Sequence, residues 1–163
     1  MPGAYPLMLN QWVGLLPAVF WPRAKDPYIY GVDFLPATLS TTTTTQLQVN
    51  SDSDFACYYL TATYYAVDNT TVLAAPTTTL QIADAGSGRF WSNQAIHMVS
   101  YFGTGSLPYM FVKPKIVGGG STLTFAITNL AGTSYNVRLA LHGLKIYPFP
   151  ETGYFNPVPM VNS

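Results

Sequence analysis

Between residues 121 and 147 the large apolar side chains fall on every second position, and that period commits this part of the chain to extended strands. Leu123, Phe125 and Ile127 alternate with Thr122, Thr124, Ala126 and Thr128, so one face is apolar and the other is threonine and alanine. After the turn formers Asn129, Gly132, Ser134 and Asn136, a second strand carries Val137, Leu139 and Leu141 on one face. Beyond Gly143 the phase breaks: Leu144 and Ile146 lie one step out of register with Leu141, as a bulge or bend at a glycine would produce. The expectation is a long, bent, antiparallel pair forming the back wall of a β-sandwich.

The remaining strands follow from the same reasoning. Tyr28 to Phe34 reads as a first strand ended by Pro36. The run Thr41 to Thr45 favours extended backbone through its branched Cβ atoms and leads into Leu47 and Val49, an exposed strand at a sheet edge. Ser51-Asp52-Ser53-Asp54 is a turn opening into an aromatic run, where alternation puts Phe55, Cys57 and Tyr59 on one face and Ala56, Tyr58, Leu60 and Tyr64 on the other. Both faces are apolar, which calls for a core behind and a neighbouring subunit in front. Leu80 and Ile82 mark a short strand, and Lys113-Pro114-Lys115 marks an edge, since proline cannot donate to a ladder and lysines blunt it. The spacing predicts an all-β, antiparallel β-sandwich of jelly-roll type, with a core of Leu123, Phe125, Ile127, Val137, Leu139, Leu141, Phe55, Cys57 and Ile82.

Two proline-rich arms flank this domain, giving an N-terminal arm over 1–27, the sandwich over 28–147 and a C-terminal arm over 148–163. The apolar run from Trp12 to Trp21 is about half of a membrane span and is broken by Pro17, and the charges of Arg23 and Lys25 follow it, unlike those of a secretory signal. An extended arm laid on the domain or on a neighbour is the expected alternative, the neighbour being favoured because a closed sandwich has little spare inner surface, with Trp12, Leu15, Phe20 and Trp21, together with Tyr58 and Tyr64 of the aromatic strand, as interface residues. Leu16 of the same run should be buried there too.

Composition supports burial against other subunits. Charged residues are 9% of the chain and apolar types 48%, where a soluble domain carries about a quarter charged. The formal charge is zero, so no broad field gathers nucleic acid or an anionic membrane, and neither is expected as a partner.

No catalytic constellation is evident, and neither a cofactor nor a metal is expected. Cys57 is the only cysteine, which excludes an internal disulfide and multi-cysteine metal sites. Asp52 and Asp54 form a D-x-D without the further oxygens that calcium needs, and fit a turn better. His97 and His142 have no cysteine or carboxylate at ligand spacing and read as packed or interface histidines. The glycine-rich stretches at 86–89 and 103–106 lack the G-K-[ST] ending of a phosphate loop.

Several segments in order resemble a group of small structural proteins of tailed bacteriophage virions: an S-D-x-D-F strand start at Ser51, a D-x-G-S-G-R turn at Asp84, an F-G-T-G-x-x-P loop at Phe102 leading to Lys113-Pro114, a strand ending in Thr128-Asn129-Leu130, and a last strand with Leu141-x-Gly143. The resemblance covers roughly residues 50–147 and neither arm. It implies a non-enzymatic β-sandwich subunit of the virion, acting as capsid decoration, minor capsid protein or head-to-tail collar, which forms homo-oligomers and contacts a major capsid or connector protein. The alternative is a lectin-like carbohydrate-binding sandwich, in which exposed Trp91, Tyr101 or Tyr109 stack on sugar rings.

Overall fold

The structure, a computed structural model, describes residues 12–37, 41–74, 77–104 and 107–150. Its strands are β1 (Arg23–Ala37), β2 (Thr42–Gln48), β3 (Asp54–Tyr65), β4 (Thr78–Asp84), β5 (Arg89–Phe90), β6 (Ile96–His97), β7 (Gly103–Thr104), β8 (Leu107–Pro108), β9 (Met110–Val117), β10 (Thr122–Asn129) and β11 (Tyr135–Pro150). One short helix, α1 (Met98–Phe102), follows β6. The first sheet has the order β1-β11-β3-β9 and the second β2-β10-β4-β5, with β6 also on β4 and β7-β8 a separate pair. Every named pairing is antiparallel. First strand with last, second with next to last, and so inward: this nested pairing across two sheets is the jelly roll.

The expected pairing of the 121–147 strands is corrected here. β10 and β11 lie in different sheets, β10 between β2 and β4 and β11 between β1 and β3. Their apolar faces meet across the sandwich instead of side by side, which buries both faces on one core. All nine residues predicted for that core are buried, from Leu123, Phe125 and Ile127 on one sheet to Phe55, Cys57 and Leu141 on the other. Tyr30, Val32 and Phe34 of β1 and Met98 and Phe102 of α1 are among the residues that join it.

The first strand is longer than its apolar pattern suggests, starting at Arg23 within the span expected for the N-terminal arm, and Pro36 lies inside it next to a register break between Phe34 and Ala37. At the other end β11 continues past Tyr147 to Pro150. The two expected edges are as read, since β2 and β9 each close one side of a sheet.

The alternation expected in β3 fails at one place, with consequences for the surface. His142 of β11 pairs with Tyr59, yet the next residue, Gly143, pairs with Cys57, so Tyr58 is an extra residue bulged out of β3. Tyr58 and Tyr59 consequently both face outward, while Leu60 and Tyr64 return to the core with Phe55 and Cys57. Tyr64, expected at an interface, is 6% exposed inside the sandwich, where its hydroxyl donates to Met98 Sδ and burial pushes its pKa up to about 12. It offers no surface to a neighbour. The bulge or bend expected at Gly143 is corrected: β11 stays in unbroken register with β1 through Gly143, and Leu144 and Ile146 are out of phase with Leu141 because they belong to the outer face, while the bulge lies beside Gly143 in β3.

Candidate interaction surface

Beyond the bulge, Leu144 and Ile146 point away from the main core and form a second apolar cluster with Leu16, Ala56 and Tyr58, flanked by Trp12, Val13, Phe20, Tyr59 and Ile116. This is the outer face of the first sheet, and the chain covers it with its own N-terminal segment. Residues 12–14 are helical and Ala18–Phe20 is a 3₁₀ turn, joined at Pro17. Bonds from the amides of Leu16 to Val13 O (3.1 Å) and Phe20 to Pro17 O (2.9 Å) keep the segment coiled. A coiled segment repeats its face every three to four residues, so Trp12, Leu16 and Phe20 turn inward together.

Trp12 anchors it. Its ring stacks on Tyr58 with centroids 4.9 Å apart and meets Tyr59 edge-on at 5.9 Å, contacts worth about 0.5–1.5 kcal/mol each beyond the area they bury. The Tyr58 hydroxyl donates to the Trp12 carbonyl, and burial raises the Tyr58 pKa. The cover in front of Tyr58 is thus the chain's own arm, which corrects the expectation that a neighbour supplies it. Leu16 is buried there, and Trp12 and Phe20 are partly buried.

The opposite side of the segment is apolar and open. Leu15, Val19 and Trp21 are 43%, 65% and 54% exposed, with Trp21 held by a bond from its indole Nε1 to Leu16 O (3.0 Å). Next to it a row of side chains crosses the whole first sheet: Ile29 of β1 pairs with His142, His142 with Tyr59, and Tyr59 with Met110 of β9. The His142 ring stacks on Tyr59 at 4.4 Å, its Nε2 shares a 2.9 Å hydrogen bond with Thr61 Oγ1, and burial lowers its pKa. Ile29 and Met110 at the two ends are exposed. Of the six residues expected at an interface, Leu15 and Trp21 lie open, Trp12, Phe20 and Tyr58 form the packing beneath them, and Tyr64 is elsewhere. Sequence reasoning missed Ile29, Tyr59 and Met110, because the bulge that aligns the row leaves no mark in the alternation.

The other candidate chemistry is absorbed by structure. Asp54 pairs with Arg23 (3.3 Å) and accepts from the Gly119 amide (3.0 Å), while Asp52 pairs with Lys145 (3.4 Å) and is held below its usual pKa first by the Ser53 hydroxyl. Arg23, Asp52, Ser53, Asp54 and Gly119 line a polar cleft of about 160 Å³, and each of its two carboxylates already has a cationic partner. Among the described residues no three His, Cys, Asp or Glu side chains gather as a metal site, and no helix is long and apolar enough to cross a membrane. Of the aromatics named for the sugar-binding alternative, Tyr101 is buried, while Trp91 is half-buried and Tyr109 exposed, both packing edge-on against Phe111 (5.9 and 6.3 Å). No protein-family model matches the chain, and no curated protein matches it.

Proposed function

We propose that the chain is a non-enzymatic structural subunit of a tailed-phage virion, a decoration or minor capsid protein that assembles with copies of itself and with a major capsid or connector protein. The observation that carries this reading is the two-sided N-terminal segment, which seals its own sheet with Trp12, Leu16 and Phe20 while turning Leu15, Val19 and Trp21 to solvent. An apolar surface of this kind, on a chain with 9% charged residues, is expected to be covered in the working assembly. The jelly roll agrees with the reading without deciding it, since capsid and lectin domains share that fold. The pattern of turns and strands over 50–147 is what points to the virion.

The test is a Leu15→Asp, Trp21→Asp double variant of the full chain. Both side chains are open in the single subunit, so melting should change little, whereas incorporation into particles should fall sharply. Normal incorporation of the variant would remove the N-terminal surface as the basis of the reading.

A further inference from the structure

Two stacked sheets leave four outer edges, and this protein blunts three of them. β1 contains Pro27, Pro36, Lys25, Asp26 and Asp33 and has register breaks at both ends. β9 carries Lys113-Pro114-Lys115 and loses register against β3 between Cys57 and Tyr59. The far side of β4 is met only by the two-residue strands β5 and β6. Proline, charge, bulges and short length are the devices by which sheets avoid joining one another. β2 has none. Its seven residues, TTTTQLQ, are uncharged and pair with β10 in unbroken register from Thr42–Thr128 to Gln48–Thr122.

The register shows which main-chain groups stay open. The Val49 amide bonds Ser121 O (2.9 Å) on the β2 side of β10, and the Ala85 amide bonds Thr122 O (3.0 Å) on the β4 side. Antiparallel ladders alternate, so Thr43, Thr45 and Leu47 direct their N–H and C=O groups to β10, whereas Thr42, Thr44, Gln46 and Gln48 direct theirs outward. The same four residues have exposed side chains, and none of their outward groups meets another described residue.

We propose that β2 is a docking edge for β2 of a second copy of this chain, the two joining antiparallel about a two-fold axis into one continuous sheet. This deepens the self-assembly reading, on which it rests, by naming the edge. The other long edge of a second copy, β1, carries Lys25, Asp26, Asp33, Pro27 and Pro36, so the edge-to-edge contact free of charge and proline joins β2 to β2 and is isologous. The chain's own arms are poorer occupants, since Pro2, Pro6, Pro157 and Pro159 remove donors from any strand that residues 1–11 or 151–163 supply. With Thr45 on the axis, Thr42 opposes Gln48 of the second copy and Thr44 opposes Gln46, which satisfies every outward group in about eight main-chain bonds. Every facing pair is uncharged, and the Thr–Gln pairs on the exposed face can hydrogen-bond through their side chains, as Thr42 Oγ1 and Thr128 Oγ1 already do across β2 and β10 at 2.8 Å.

The experiment uses the full chain in sedimentation velocity over a concentration series, with cross-linking under mild oxidation. Thr44→Pro removes only an outward donor and keeps the ladder to β10, so it should weaken association by about tenfold or more with little change in melting. Thr44→Lys, which puts a charge on the edge without touching the backbone, should act in the same direction and serves if the proline variant misfolds. Thr45→Cys should form an intermolecular disulfide, because the axis sets the two Thr45 positions opposite each other at a non-hydrogen-bonded pair, while Thr43→Cys should not. The native Cys57 is buried and does not compete. Association of the wild type that neither edge variant weakens would overturn the edge and leave the self-assembly reading standing. So would weakening without a Thr45→Cys cross-link, which would mean that a different strand occupies the edge. A wild type that stays monomeric throughout would overturn both.

Discussion

Replacing Gly143 with alanine tests the bulge and the packing of the first sheet together. A Cβ at 143 would overlap the Ala56 carbonyl oxygen and lie 2.7 Å from Phe55 Cζ and 2.8 Å from Cε2. Neither neighbour can yield freely: Ala56 is main chain in β3, and Phe55 is fully buried in the core. β11 is itself held between β1 and β3, so relief requires a shift of paired strands. Overpacking of this kind costs about 1–3 kcal/mol where side chains can move, and the rigid contact here puts the expectation at the upper end, about 3 kcal/mol. For a chain of this length that corresponds to a melting temperature lower by about 6–12 °C. Gly31 supplies the control, because it also lies in a strand of the same sheet, yet a Cβ there meets nothing within 4 Å. Gly31→Ala should be neutral or stabilise by about 0.4–1 kcal/mol through the unfolded chain. Thermal and urea unfolding of the two variants, with the urea slope unchanged, is the assay. Equal midpoints for the two would refute the close approach and with it the account of the bulge.

The aromatic anchor should behave differently from its exposed neighbour: Trp12→Ala should cost roughly 2–3 kcal/mol and leave Tyr58 open to solvent, read by Tyr fluorescence quenching, whereas Trp21→Ala should shift stability by less than about 0.5 kcal/mol. His142 gives a pH dependence with a fixed sign. Burial lowers its folded pKa below that of the unfolded chain, so the unfolded state binds the extra proton and stability falls as pH drops from about 6.5 toward the folded value. Between pH 7.5 and 5.5 the wild type should lose more of its melting temperature than His142→Phe, which keeps a ring on Tyr59 but cannot titrate; equal losses would place the imidazole in water.

Much of the sandwich was legible because burial on one face writes itself as a period of two. Leu123, Phe125 and Ile127 could be assigned to the core without knowing their partners, whereas the shift from Leu141 to Leu144 and Ile146 marks a change in which face of β11 is covered and not a bulge at Gly143. Pairing was a different matter. Alternation says which way a side chain points and not which strand lies beside it, so β10 and β11 read as neighbours although they face each other across the core. The start of β1 was hidden by Pro27 and by charged residues that an edge strand tolerates. Tyr59 and Tyr64 exchanged faces because one extra residue at Tyr58 inverts everything beyond it, and a run of aromatics apolar on both sides gives no phase signal to reveal it. The arm was expected on the domain or on a neighbour, and sequence alone neither chose between them nor matched Trp12, Leu16 and Phe20 to Tyr58, because a run of apolar residues does not say which surface it covers.

The most direct test of the proposed structural role is whether this chain is present in purified virus particles, and in what copy number, measured by quantitative mass spectrometry against the major shell protein. The account predicts a fixed stoichiometric ratio that survives density-gradient purification, from a few copies for a collar to hundreds for a decoration or shell role. A chain found only in the soluble fraction, or in particles at varying trace amounts, would contradict it.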